Sequence, residues 1–302
     1  PDGINLDSWR EELLKGEKAS LKGFFDKAKI LNLRNSIFVD VTANQEVSDI
    51  YANYLRESIA VVACNKIACS SNYNNYNTLK QLSRKYNAPF LFETNVGAGL
   101  PVIDTLNHLI TSGDKIHSIH AVLSGSLNFV FNNFDTSKKF HDVVKQAQNE
   151  GYTEPDPRID LSGVDVARKI LILARESGTE MNLEDIENIS FLSPSAQKAN
   201  SVDDFYETLI KDEAHYQNLL ASAKKNDCQL KYVAKFVNGK ASVGLKEIPK
   251  GHPFYNLEGK DNIVMFYTER YPEQPMIIKG AGAGADVTAA GLFADIIRIG
   301  NN

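Results

Sequence analysis

At 302 residues the chain is long enough to bury a large core and to hold two domains, and 33 Lys plus Arg against 38 Asp plus Glu leave a formal charge of -5. That balance speaks against a nucleic-acid binder or an anionic-membrane surface and favours a small metabolite as partner. No apolar run approaches the roughly 20 residues of a bilayer span, PDGINLDSW lacks signal-peptide character, and Cys64, Cys69 and Cys228 form no C-x-x-C pair, so a soluble, cytoplasmic protein with reduced thiols is expected.

In chain order, SWREELLKG and SLKGFFDKAKI read as two short amphipathic helices. SIFVDVT (36–42), IAVVACN and PFLFET then read as strands, separated by the helical patterns QEVSDIYANYLRES and NYNTLKQLSRKYN. Strands alternating with helices in this way predict a right-handed β-α-β-α-β parallel sheet. After VGAGLP come a helix over 101–111 and a strand KIHSIHAVL (115–123); later KYVAKFVNGKASVGLKEI carries Asn238-Gly239 between two alternating runs, a strong hairpin signal, and DNIVMFYTERY is another strand. An antiparallel sheet with helices on it is therefore expected over 102–270. The strand PMIIK and the helix VTAAGLFADII are expected to return to the first domain. Between them, Gly280, Gly282 and Ala285 fit the G-x-G-x-x-A spacing of a dinucleotide loop, yet no strand follows that a true fingerprint requires.

In an open parallel sheet ligands bind beyond the carboxyl ends of the strands. Three successive strands end on Asp40-Val41-Thr42, Asn65-Lys66 and Glu93-Thr94-Asn95, which marks one rim as a candidate site. In ETNVGAGLP an extended backbone would aim the carbonyls of Val96, Ala98 and Leu100 at one point beside Glu93, a set suited to a hard cation; a plain glycine turn is the alternative. GYTEPDPRIDLSGVDVARKILILARESG places Glu154, Asp156, Asp160 and Asp165 within twelve residues, with Pro155 and Pro157 expected to hold the chain extended. A helix is expected from about Ser162 to Gly178, on which Asp165 and Lys169 share a face. Ile170 to Ala174 are apolar nearly all round, which predicts a buried helix, and a buried lysine paired with a carboxylate can serve proton transfer. The acidic loop suits a substrate with an ammonium group. His117 and His120, three apart on a strand, face opposite sides and form no metal pair, and no G-x-S-x-G or H-E-x-x-H is present.

GYTEPDPRIDLSGVDVARK, with TNVGAGLP, LSGSLN and GAGADVTAAG, closely resembles homoserine dehydrogenase over essentially the whole chain, and DGINLDSWREEL resembles the form fused behind an aspartokinase. The resemblance implies interconversion of L-homoserine and L-aspartate 4-semialdehyde with NADP or NAD, on the route to threonine and methionine. It implies an α/β fold: a Rossmann-type parallel sheet, truncated here, plus an α+β substrate and dimerisation domain with a mixed sheet. The expected division is a partial NAD(P)-binding domain at 1–100, completed by 275–302, and a substrate domain at 101–274. Carried over by motif, Lys169, Lys66 and Asp165 are catalytic; Glu154, Asp160 and Asp165 meet the substrate; Thr42, Lys66 and Gly284 meet the cofactor. Glu93, Val96, Ala98 and Leu100 match a monovalent-cation site, usually sodium. A homodimer and an upstream aspartokinase domain in the parent chain are the implied partners. Family members carry a strand and a G-x-G-x-x-G loop ahead of DGINL, so this stretch alone is expected to bind NAD(P) weakly and turn over little. Two rivals stand beside this: another oxidoreductase of an amino-acid alcohol or aldehyde, and a catalytically silent dimerisation or regulatory domain.

Overall fold

The computed structural model describes residues 3–301, arranged around two sheets. In the first, β1 (Ile37–Asp40), β2 (Ala60–Ala63) and β3 (Phe90–Leu91) run parallel in that order. The four residues of β2 are all buried because both faces are covered. Val61 and Ala63 pack among Tyr51, Tyr54, Tyr76 and Leu79 from the intervening helices, whereas Ala60 and Val62 alternate to the other face and meet Leu292, Ile296 and Ile299 near the C-terminus. The helix expected over QEVSDIYANYLRES is interrupted at Ile50 into Gln45–Asp49 and Tyr51–Arg56.

The second sheet has six strands, β4 (Ile116–Val122), β5 (Glu187–Ile189), β6 (Cys228–Val237), β7 (Lys240–Pro249), β8 (Asp261–Thr268) and β9 (Met276–Ala281), in the order β5-β7-β6-β4-β8-β9. Only β5 lies parallel to its neighbour, so the sheet is mixed. The β6–β7 hairpin turns at Asn238 and Gly239 with φ of 49° and 78°, the two positive values a tight two-residue turn demands.

PMIIK does not return to the first sheet. Met276–Ala281 pairs antiparallel with β8, from Phe266↔Met276 to Asp261↔Ala281, because the short connection 269–275 suits a hairpin and not a parallel crossover. The helix Ala285–Gly300 alone goes back to β2. Its approach relies on two glycines: a Cβ on Gly99 would lie 2.4 Å from the Val287 carbonyl oxygen, and one on Gly291 would lie 2.9 Å from the Gly99 Cα.

One further local expectation fails for an identifiable reason. Pro157 does not keep the chain extended; it opens a short helix, Pro157–Leu161, where its missing N–H costs nothing and Asp156 caps by accepting the Arg158 N–H at 3.1 Å. The next helix, Val164–Glu176, starts after Gly163, whose φ of 74° and closeness to Tyr232 leave no room for a side chain. That helix lies between β6 and β7 on one side and the helices Ile67–Ser70 and Val102–Thr111 on the other, so Ile170 to Ala174 are all buried, as the apolar run predicts. Among the described residues no helix is long and apolar enough to cross a membrane.

Candidate active site

The helix Val164–Glu176 carries Asp165 and Lys169 one turn apart, and their side chains meet at 2.8 Å. The Lys169 ammonium, 12% exposed, also donates to the Leu123 carbonyl at 2.7 Å, where β4 ends. The other Asp165 oxygen lies 3.5 Å from Lys66, at the carboxyl end of β2. One carboxylate therefore joins a lysine of the first sheet's rim to a lysine set on the second. Burial opposes ionisation of Asp165, but Lys169 and then Lys66 overcome it and hold its carboxyl well below the usual carboxylate range. Because 47% of the Asp165 side chain still meets solvent, this triad is better understood as a means of placing two ammonium groups than as a source of stability.

Asp165 and Lys169 line a cavity of about 540 Å³ together with Asp160, Tyr152, Ser126 and Lys260. Asp160 is held in place by the Ser126 hydroxyl and the Glu154 N–H, each at 2.8 Å, with carboxylate lone pairs left over for a cationic ligand. Gly284 stands on the cavity wall beside Gly282 and Ala283. Glu154 is exposed, and only its backbone is fixed to the site; its side chain is not part of the lining. Asp156 is spent on its helix cap and on Arg158.

Along the rim, Thr42 is exposed at the end of β1. Asp40 and Asn65 are structural: Asp40 accepts from Tyr51, from Asn65 at 3.0 Å and from the Thr42 N–H at 2.7 Å, while Asn65 also donates to the Asn44 carbonyl. Thr42 is exposed and Lys66 half-buried on this rim, and the 282–284 loop on the cavity wall offers no side chain larger than a methyl.

The cation set does not have the geometry expected of it. Val96 is extended but the chain does not continue so: Gly97 and Ala98 have φ of 81° and 52°, and Leu100 turns back so that its N–H reaches the Gly97 carbonyl, so alternate carbonyls are not aligned by strand geometry. The Leu100 oxygen accepts the Val102 N–H, and both Glu93 oxygens accept N–H groups at 2.7 Å, from Ile103 and Asp104, at the start of the helix Val102–Thr111. Glu93 is thus a helix-terminus acceptor. Its burial, with Asp295 and Asp104 nearby, pushes its pKa up to about 7 despite those two bonds.

This raised value has a defined pH signature. Below the unfolded-state value near 4.5 both states carry the proton; above it the unfolded chain ionises first, so this group's contribution to stability is lost as pH rises through about 7. The loss is expected to be about 3 kcal/mol. Urea unfolding at about pH 5 and about pH 8 checks this, and Glu93→Gln should flatten most of the difference, leaving the smaller part due to Asp295, whose pKa is also raised by burial.

Sequence reasoning missed Lys260, Ser126 and Tyr152 as cavity residues. The LSGSLN motif was the available signal for Ser126; Lys260 has none, because only the packing of residues 250–260 brings it there.

A Rossmann-type parallel rim facing a cavity on a mixed sheet is a dehydrogenase-like architecture, and comparison with known proteins narrows it. Residues 101–297 match the family model described as homoserine dehydrogenase, and residues 10–93 that of the homoserine dehydrogenase NAD binding domain. The chain is 42% identical over 301 residues to bifunctional aspartokinase/homoserine dehydrogenase 2, chloroplastic, of Arabidopsis thaliana, covering 98% of this chain and 33% of that protein. It is 36% identical to homoserine dehydrogenase of Schizosaccharomyces pombe, covering 98% of this chain and 81% of the relative. A solved Candida auris protein of unknown function superposes with a TM-score of 0.92 at 36% identity, over 99% of this chain and 85% of that one. The chain belongs to the homoserine dehydrogenase family. It spans about one third of the length of the bifunctional plant relative.

Proposed function

We propose that the protein carries the active site of a homoserine dehydrogenase, interconverting L-homoserine and L-aspartate 4-semialdehyde with NAD(P), on the route to threonine and methionine. The observation that carries this is the Asp165 carboxylate placed 2.8 Å from Lys169 and 3.5 Å from Lys66 at the mouth of an acid-lined cavity. When bound, the nicotinamide supplies the hydride acceptor. Lys169, as the neutral amine left when its ammonium has released a proton to solvent, takes the hydroxyl proton and becomes the ammonium again, positioned by Asp165 and the Leu123 carbonyl. Lys66 stands at the junction of cofactor rim and substrate cavity, with Thr42 and Gly284 as further cofactor contacts. Asp160 receives the substrate ammonium through a charge-assisted hydrogen bond, with Glu154 as an outer acidic neighbour.

The same proposal assigns the first sheet and the helix Ala285–Gly300 to the cofactor, and the mixed sheet to the substrate and to a homodimer contact. An aspartokinase domain in the same polypeptide follows the plant relative's organisation. No step is assigned to a sodium ion.

The test is reduction of NADP by the whole protein with L-homoserine, against a panel of other amino-acid alcohols. Turnover of homoserine above the rest supports the assignment; turnover of another member alone transfers it to a different amino-alcohol oxidoreductase, and none at all favours a silent binding domain.

A further inference from the structure

An α-amino acid brings a carboxylate as well as an ammonium into a site, and burying either without a partner is costly. The acids of the cavity answer the ammonium. Of the nearby cations, Lys169 in the cavity wall is already occupied by Asp165 and the Leu123 carbonyl, and Lys66, outside the lining, by Asp165. Lys260 lines the same cavity and has no hydrogen-bond or ion-pair partner among the described residues.

We propose that Lys260 receives the α-carboxylate of the amino-acid substrate. The assignment rests on the dehydrogenase reading above and names a specificity residue within it.

The placement of Lys260 is built in from below. Residues 250–260 form a strap between β7 and β8, and the strap is tied down immediately before Lys260. Lys231, on β6 and 1% exposed, donates to the Leu257 carbonyl at 2.6 Å and to the side-chain oxygens of Asn132 and Asn128. Those asparagines in turn donate to the strap, Asn132 to the Leu257 carbonyl at 3.0 Å and Asn128 to the Gly259 carbonyl at 2.9 Å. Burial pushes the Lys231 pKa down to about 8, since its acceptors are all neutral. This network joins the strap to the helix Gly125–Asn133, whose first turn lines the cavity.

From that anchor the Lys260 side chain runs past two glycines. A Cβ on Gly125 would lie 3.3 Å from the Lys260 Cβ, and a Cβ on Gly284 would lie 3.8 Å from its Nζ. The neighbouring Ser126 holds Asp160. Groups of both signs therefore flank the 124–126 turn, as an amino acid whose ammonium and carboxylate share one carbon requires.

The experiment compares L-homoserine with L-homoserine amide, which keeps the ammonium and the reacting hydroxyl but not the negative charge. Lys260→Ala in the whole protein is expected to raise KM for homoserine by about tenfold to a hundredfold, the weight of a charge-assisted hydrogen bond. It should leave kcat nearly unchanged and leave KM for the amide as it was; Lys260→Arg should restore most of the loss. Lys231→Met, which frees the strap, should show the same homoserine-selective rise in weaker form. Equal effects on both substrates, no effect on either, or a rise confined to KM for NADP would overturn the assignment, the last by giving Lys260 to a cofactor phosphate. Absence of homoserine turnover by the unsubstituted protein would instead sink the dehydrogenase reading, and this inference with it.

Discussion

Lys169→Ala is expected to lower kcat with L-homoserine by about a hundredfold to ten-thousandfold, the range spanned by a positioned proton-transfer group. The substitution removes the ammonium that Asp165 holds at 2.8 Å and leaves the Leu123 carbonyl without that donor, while Lys66 at 3.5 Å remains. Lys169→Arg keeps the charge for Asp165 but cannot give up its proton, so it should fold as well as the parent and stay nearly as slow as the alanine variant. A charge-placing role would predict the reverse, with arginine restoring the rate. If Lys66→Ala costs more than Lys169→Ala, the proton-transfer role passes to Lys66, and unchanged turnover in Lys169→Ala removes that residue from the chemistry altogether. Circular dichroism spectra matching the parent's keep a folding defect from being read as a chemical one.

The parts of this site that were legible in sequence are those where local chemistry and tertiary need coincide. Asp165 and Lys169 are set by helical spacing, and the aliphatic run after Lys169 announces the burial of Ile170 to Ala174. The Asn238-Gly239 hairpin is equally local, since the backbone demands of a two-residue turn select those residues. Reading failed where one residue type serves opposite ends. Pro157 excludes the interior of a helix but favours its first position, and nothing short of the Asp156 cap decides between them. In ETNVGAGLP an extended backbone would align the Val96, Ala98 and Leu100 carbonyls and a glycine turn was the alternative, whereas Gly99 is small because Gly291 and Val287 press against it from a helix nearly two hundred residues later in sequence. Lys260 was invisible for the same reason: its neighbours Gly125 and Gly284 are remote in the chain, and an isolated lysine in a turn carries no periodic signal.

Glu176→Ala should be the most destabilising single change at the far end of the same helix, by about 3 to 5 kcal/mol. The Glu176 side chain is 1% exposed and accepts from Tyr76, from Lys80 at 3.0 Å on both oxygens and from Asn107 at 3.1 Å. Truncation leaves those donors facing one another without an acceptor, and in a buried setting the unmet groups outweigh the lost pair. Glu176→Gln, which retains one oxygen and the volume, should cost clearly less. Urea titration of the three proteins decides it, with the midpoint falling most for alanine. The loss also tests how the two lysines are kept in register. The adjacent Arg175 donates to the carbonyls of Cys69 and Ser71, just beyond Lys66, at 2.7 Å and 2.6 Å. If that second tie suffices, the folded fraction of Glu176→Ala will retain its KM for homoserine, whereas a raised KM at temperatures where the variant is fully folded would show that Glu176 itself holds Lys66 opposite Asp165.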